Sequence, residues 1–180
     1  MAIHSSMKRS RQIAVSAILS ALGVLLLYLG SVFEILDLTT AAAASFITAF
    51  AVIEIGGASA WLIYAVTGVL ALILLPNKFI AVFYVLFAGF YPIMKEKFER
   101  LHYVVSWILK LSLFNTSLLF VVLASRTLLH LPEDELGFTI PVFALGNGAF
   151  LLYDIAMSKI ITVYLIKLRS RLHLKNYFEN

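Results

Sequence analysis

The chain has 180 residues, 62% of them hydrophobic and 13% charged, with a formal net charge of +4 and no cysteine. A soluble domain of this length needs far more polar surface to cover its core, and missing cysteine excludes disulfide staples, thiolate metal sites and cysteine nucleophiles. The basic residues sit in short tails and loops, as membrane topology demands, so the expected partner is the lipid bilayer and not nucleic acid.

Lys8, Arg9 and Arg11 precede the first apolar run, 12–33. That run is too long for a signal-peptide core and lacks a small-residue cleavage site, so it is read as a retained helix. Glu34 and Asp37 close it, and an Ala-rich second helix follows at 38–53. Glu54-Ile55-Gly56-Gly57 makes a turn into the third helix, 58–75, and Pro76-Asn77-Lys78 makes another. The fourth helix is predicted over 79–94, ending near Pro92, before the charged segment 95–102. The fifth covers 103–125, the longest loop 126–139 carries Glu133-Asp134-Glu135, and the sixth covers 140–166 before a basic tail. Each run is about the length that spans a hydrocarbon core. The expectation is one all-α integral membrane domain over 1–180, with six transmembrane helices.

Charge orients it. With six spans the two tails, the 2–3 turn and the 4–5 loop share one side, which carries Lys8, Arg9, Arg11, Lys95, Lys97, Arg100, Lys167, Arg169, Arg171 and Lys175. The other side carries only Lys78 and Arg126 among the basic residues, with five acidic ones. Short-loop Lys and Arg stay in the cytoplasm, which predicts an N-in/C-in topology. Helices 1–3 are rich in small residues and helices 4–6 in aromatics, with no internal repeat, so the halves look functionally different.

Three features bear on function. Ala14, Ala17 and Ala21 form a small-residue face on helix 1; such faces let helices approach closely, within the chain or against a partner membrane protein. Polar groups enter the membrane at Lys110 and Asn115 on helix 5, and at Asn147, Asp154 and Lys159 on helix 6. At about 1.5 Å per residue, Asn115 and Asp154 lie roughly 18 Å, and the lysines roughly 10 Å, from the cytoplasmic ends of their helices. Asn147 and Asp154 share a helix face, so a polar stripe between helices 5 and 6 is expected. The lysines can snorkel to the headgroups. Asp154 cannot, and either binds a ligand, pairs with Lys110 or is neutralised by protonation. Third, Gly146-Asn147-Gly148 can loosen helix 6 or permit close packing. On helix 4, Phe83, Tyr84, Phe87, Phe90 and Tyr91 line a pocket or pack. His4, His102, His130 and His173 are scattered without metal-ligand spacing, and no Walker loop, nucleophile elbow or dinucleotide fingerprint appears. No enzymatic activity, metal or cofactor is expected.

The pattern resembles the substrate-binding S components of energy-coupling factor (ECF) vitamin transporters: small six-helix, N-in/C-in bacterial membrane proteins with a basic N-tail and an Ala-x-x-x-Ala motif on helix 1. Ala17 and Ala21 match that motif here. The resemblance covers the whole chain in architecture. It implies residence in the bacterial plasma membrane and docking of helices 1–3, through Ala14, Ala17 and Ala21, on a transmembrane coupling subunit bearing two ATPase subunits. It also implies a vitamin or other small micronutrient held by helices 4–6 beneath the outer loop, with Tyr84, Tyr91, Asn115, Asn147 and Asp154 as candidate contacts, and release by toppling of the bundle. The 1–2 connection, which often caps substrate in that family, is very short here, and no signature of a vitamin subgroup is present. The alternative is a non-catalytic scaffold of the MreD-like cell-shape or division type; a third reading, a membrane enzyme or ion-coupled carrier, rests on Asp154 alone.

Overall fold

The structure, a computed structural model, describes residues 2–33, 36–127 and 140–169. Glu34, the acidic loop residues Glu133, Asp134 and Glu135, the tail cations Arg171 and Lys175, and His130 and His173 lie outside the described residues. The described residues form helices α1 (Ala2–Val32), α2 (Asp37–Glu54), α3 (Gly57–Leu74), α4 (Lys78–Phe83), α5 (Tyr91–Phe98), α6 (Tyr103–Thr127) and α7 (Ile140–Val163), with π-helical turns at Tyr84–Ala88 and Tyr164–Leu168. Among the described residues, six helical segments are long and apolar enough to cross a membrane: Ser10–Val32, Asp37–Glu54, Gly57–Leu74, Lys78–Phe98, Tyr103–Ala124 and Phe143–Lys167. Ile18, Ile73, Leu152 and Ile166 are each about two-thirds exposed on these segments, a surface matched to lipid tails and not to water. The chain is a multi-pass membrane protein.

The fourth span departs from expectation. It does not stop at residue 94 but runs to Phe98, so residues 95–98, expected in a loop, are helical. Pro92 falls in the first turn of α5, where a missing N–H costs nothing. The preceding π turn, in which the Gly89 amide donates to the Tyr84 carbonyl at 2.8 Å, resets the hydrogen-bond ladder so that Pro92 can occupy that position. A side chain at Gly89 would come within 2.7 Å of the Tyr84 and Tyr64 rings, so only glycine fits there. Of the two readings of Gly146-Asn147-Gly148, loosening of the sixth helix or close packing, the structure shows no loosening: α7 runs through it, and a Cβ at Gly146 would lie 3.2 Å from Leu118. Gly146 thus serves close packing against α6, while a side chain at Gly148 would meet open space.

The first three spans pack on one another through small side chains. Leu27, Ala41, Ala44 and Ala71 meet Tyr84 in one buried cluster, and a Cβ on Gly23 would press on Thr67 at 3.1 Å. Lipid offers no hydrophobic gradient, so close backbone approach and dispersion hold these helices together. At the α2–α3 corner Gly56 takes φ 112°, a conformation that side chains resist. The later spans pack differently, through rings: Phe87, Tyr91, Phe114, Phe150 and Met157 form a second cluster, with Phe114 and Phe150 stacked at 4.7 Å between centroids.

Candidate polar site in the later spans

A charged centre sits where α5, α6 and α7 converge, at the end of the bundle shared by the α1 start and the α5–α6 connection. Tyr91 and Lys95 on α5 and Glu99, the residue that caps its end in helical conformation, follow at intervals of four and so share a face. Asp154 and Ser158 repeat that spacing on α7, and Ser106 and Lys110 on α6. Asp154 accepts from Tyr91 and Lys95 on one oxygen and from Lys110 on the other at 3.1 Å. Lys95 also pairs with Glu99 at 2.6 Å and donates to Ser158 at 2.8 Å. Lys110 reaches Glu99 at 3.1 Å and stands 5.2 Å from the Trp107 ring centre. Lys95, Asp154 and Lys110 are 2%, 3% and 5% exposed. A lone charge at this depth is costly, and the remedy is pairing: two ammoniums meet two carboxylates, with hydroxyls taking up further hydrogen bonds.

Beside this centre lies a cavity of about 410 Å³, walled by Ser106, Trp107, Lys110, Asp154, Ser158 and Lys159 among others. Lys159 is exposed. A second ionic cluster joins the two halves at the same end: the Tyr164 hydroxyl donates to Glu54 at 2.9 Å, and Arg169 Nε approaches the same carboxylate at 3.1 Å. The π turn Tyr164–Leu168 begins at Tyr164 and ends at Arg169, its C-cap, and both meet the end of α2.

The five residues expected to contact substrate do not form one site. Tyr91 and Asp154 belong to the charged centre. Asn115 and Asn147 face each other across α6 and α7 in a reciprocal pair, both bonds 3.0 Å, and each amide nitrogen also donates to the carbonyl one turn earlier, Leu111 and Phe143. Their N–H donors are spent on this interlock. Tyr84 stands apart in the cluster of the first three spans, 3.3 Å from the Thr48 hydroxyl. Lys110 does not snorkel. Lys95, counted among the loop cations, is a buried helical residue of the centre. Lys95, Glu99 and Ser158 escaped sequence reasoning, although the spacing Tyr91-Lys95-Glu99 continues a helix face beyond Pro92 and was the available signal. Ala14, Ala17 and Ala21 are exposed on α1.

Comparison with known proteins yields no relative: no protein-family model, no curated protein and no solved structure matches the chain.

Proposed function

We infer that this chain is the small-molecule-binding membrane subunit of a bacterial importer of the ECF type, energised by a coupling subunit and two ATPases. The observation that carries the reading is the division of the chain. An exposed small-residue face lies on the first span, and a charged centre with an adjoining cavity lies in the last three. Exposed Ala14, Ala17 and Ala21 suit the close approach of a second membrane protein. A cavity of this size with a few convergent polar groups suits a small ligand. With both termini in the cytoplasm, as the loop charges favour, the cavity belongs to the cytoplasmic half, the side of release. Co-purification tests the reading: the chain should bring down a transmembrane subunit with two ATPases, and Ala17→Trp should abolish that complex and uptake by steric exclusion. Intact association and uptake in Ala17→Trp would overturn it.

A second reading is favoured by one observation, the mutual pairing of the four charges in the centre. A non-catalytic scaffold of the cell-shape or division type needs buried charges only to fix how its helices pack. It predicts no co-purifying metabolite by mass spectrometry and no ATPase partner.

A further inference from the structure

We propose that the cavity between α6 and α7 binds the anionic head, carboxylate or phosphate, of a small molecule with an apolar body. This deepens the binding-subunit reading by naming its ligand chemistry, and it relies on that reading only for the release of the bound molecule.

The charge balance comes first. Lys95, Lys110 and Lys159 supply three ammoniums around the centre and cavity, while Asp154 and Glu99 supply two carboxylates, which leaves one positive charge. Each carboxylate already meets two ammoniums. Lys159 has no hydrogen-bond or ionic partner among the described residues. An entering cation would have to displace a lysine from a carboxylate; an entering anion displaces nothing.

The unspent hydrogen bonds agree. Ser106 is 6% exposed and lines the cavity, and its hydroxyl has no partner among the described residues. Its oxygen is not sealed off from the cavity, so an entering acceptor can take its O–H. The Trp107 indole N–H also lines the cavity without a hydrogen-bond partner among the described residues. The indole N–H and the ammonium can only donate, and the hydroxyl can do so, so an acceptor suits all three. Leu101 and Ile155 extend the wall with apolar surface that suits the rest of such a molecule.

Two sources offer this chemistry, a free organic acid or phosphate ester and the headgroup of an anionic lipid. The full chain carrying Trp61→Phe keeps Trp107 as its sole tryptophan reporter, since the sequence has two. In phosphatidylcholine nanodiscs, benzoate should change Trp107 fluorescence saturably, and its cationic counterpart benzylammonium should not. Lys159→Gln, a change at an exposed position, should weaken benzoate by about tenfold, the worth of one charge-assisted bond. Ser106→Ala should weaken it by about threefold. If the occupant is a lipid, brominated phosphatidylglycerol should quench Trp107 beyond brominated phosphatidylcholine, compete with benzoate and lose that advantage in Lys159→Gln. Either pattern supports the anion site. Equal responses to benzoate and benzylammonium, no saturable response to benzoate or phosphatidylglycerol, or indifference to Lys159→Gln would overturn it. The site and the importer reading fail separately. Anion binding without any ATPase partner leaves the site and removes the importer; Ala17→Trp-sensitive uptake with a silent Trp107 does the reverse.

Discussion

The first three spans and the last three solve the same problem, holding helices together in lipid, by opposite means. The first half buries Ala41, Ala44, Ala51, Ala60 and Ala71 with hydroxyls such as Ser45, Thr48 and Thr67. Most of its buried polar groups are neutral hydroxyls, met within a helix, as when Ser20 donates to the Ser16 carbonyl, or across a close contact, as when Thr67 donates to the Ser20 carbonyl; Glu54, at the end of α2, is the buried charge. The second half buries Lys95, Lys110 and Asp154, groups that no single helix can satisfy and that tie α5, α6 and α7 together. Close packing gives cohesion that each contact shares; a charged centre concentrates it in a few atoms. Loss of a single polar contact should therefore cost less in the first half than in the second.

The largest effect should follow Asp154→Leu. It leaves Lys95 and Lys110 sharing Glu99, itself 47% exposed, and breaking a buried pair in this way costs about 3–5 kcal/mol. A fall in the thermal midpoint of the detergent-solubilised protein, read by size-exclusion stability, is the expected outcome, and Lys110→Met added to Asp154→Leu should recover part of it. Ser45→Ala in the first half, which loses a bond to the Ala42 carbonyl and one from the Tyr153 hydroxyl, should cost about 1 kcal/mol by comparison. Equal losses from Asp154→Leu and Ser45→Ala would erase the distinction between the halves.

Next stands the tie between the halves. Glu54→Gln removes the charge from a side chain that is 1% exposed and faces Arg169 and Tyr164. Arg169 is 36% exposed and can turn to the headgroups, so the cost should fall to about 1–2 kcal/mol. Loosening of the last span relative to the first three is the expected consequence, measured as faster amide exchange in Tyr164–Leu168. Unchanged exchange there would show that packing alone, and not the Glu54 contacts, holds the π turn.

The six spans were legible in the sequence because apolar length is a direct image of bilayer thickness. Asp154 was legible too, since a short acidic side chain in an apolar helix requires a partner, and Lys110 was one of the partners considered. What could not be read was the π turn at Tyr84–Ala88. Proline normally ends a helix, and only the reset ladder lets Pro92 open a new one, which carries Lys95 inward. The interlock of Asn115 with Asn147 was half visible: depth and face were foreseeable, but mutual saturation depends on the distance between two helices. Tyr84 shows the same limit, since one helix face holds Tyr84 and Tyr91 while the bundle sends them to different clusters. Asn115→Leu probes that interlock, and at about 1 kcal/mol, typical of an interhelical hydrogen bond in a membrane, it should rank below the charged pairs. A loss as large as that of Asp154→Leu would move the centre of cohesion from the ions to the amides.

The smallest effect on the isolated chain, and the most telling for function, is expected at Ala17. Its side chain is exposed on α1, away from the packed face where Ser16, Ser20, Gly23 and Leu27 are buried. A bulky replacement meets lipid and not protein, so Ala17→Trp should change stability by no more than about half a kcal/mol. Gly30 on the same helix offers the contrast: a Cβ there would run into the Thr40 hydroxyl and lie 2.9 Å from Ile80, so Gly30→Val should destabilise the first half outright. If the small residues of α1 serve only internal packing, Ala17→Trp should resemble Gly30→Val. If the alanine face is reserved for a partner, Ala17→Trp should leave the thermal midpoint of the purified chain in place and abolish its co-purification with the coupling subunit. Stability and association measured on the same variant separate the two roles, because lipid accommodates an indole on an open helix face and a closely packed partner helix does not.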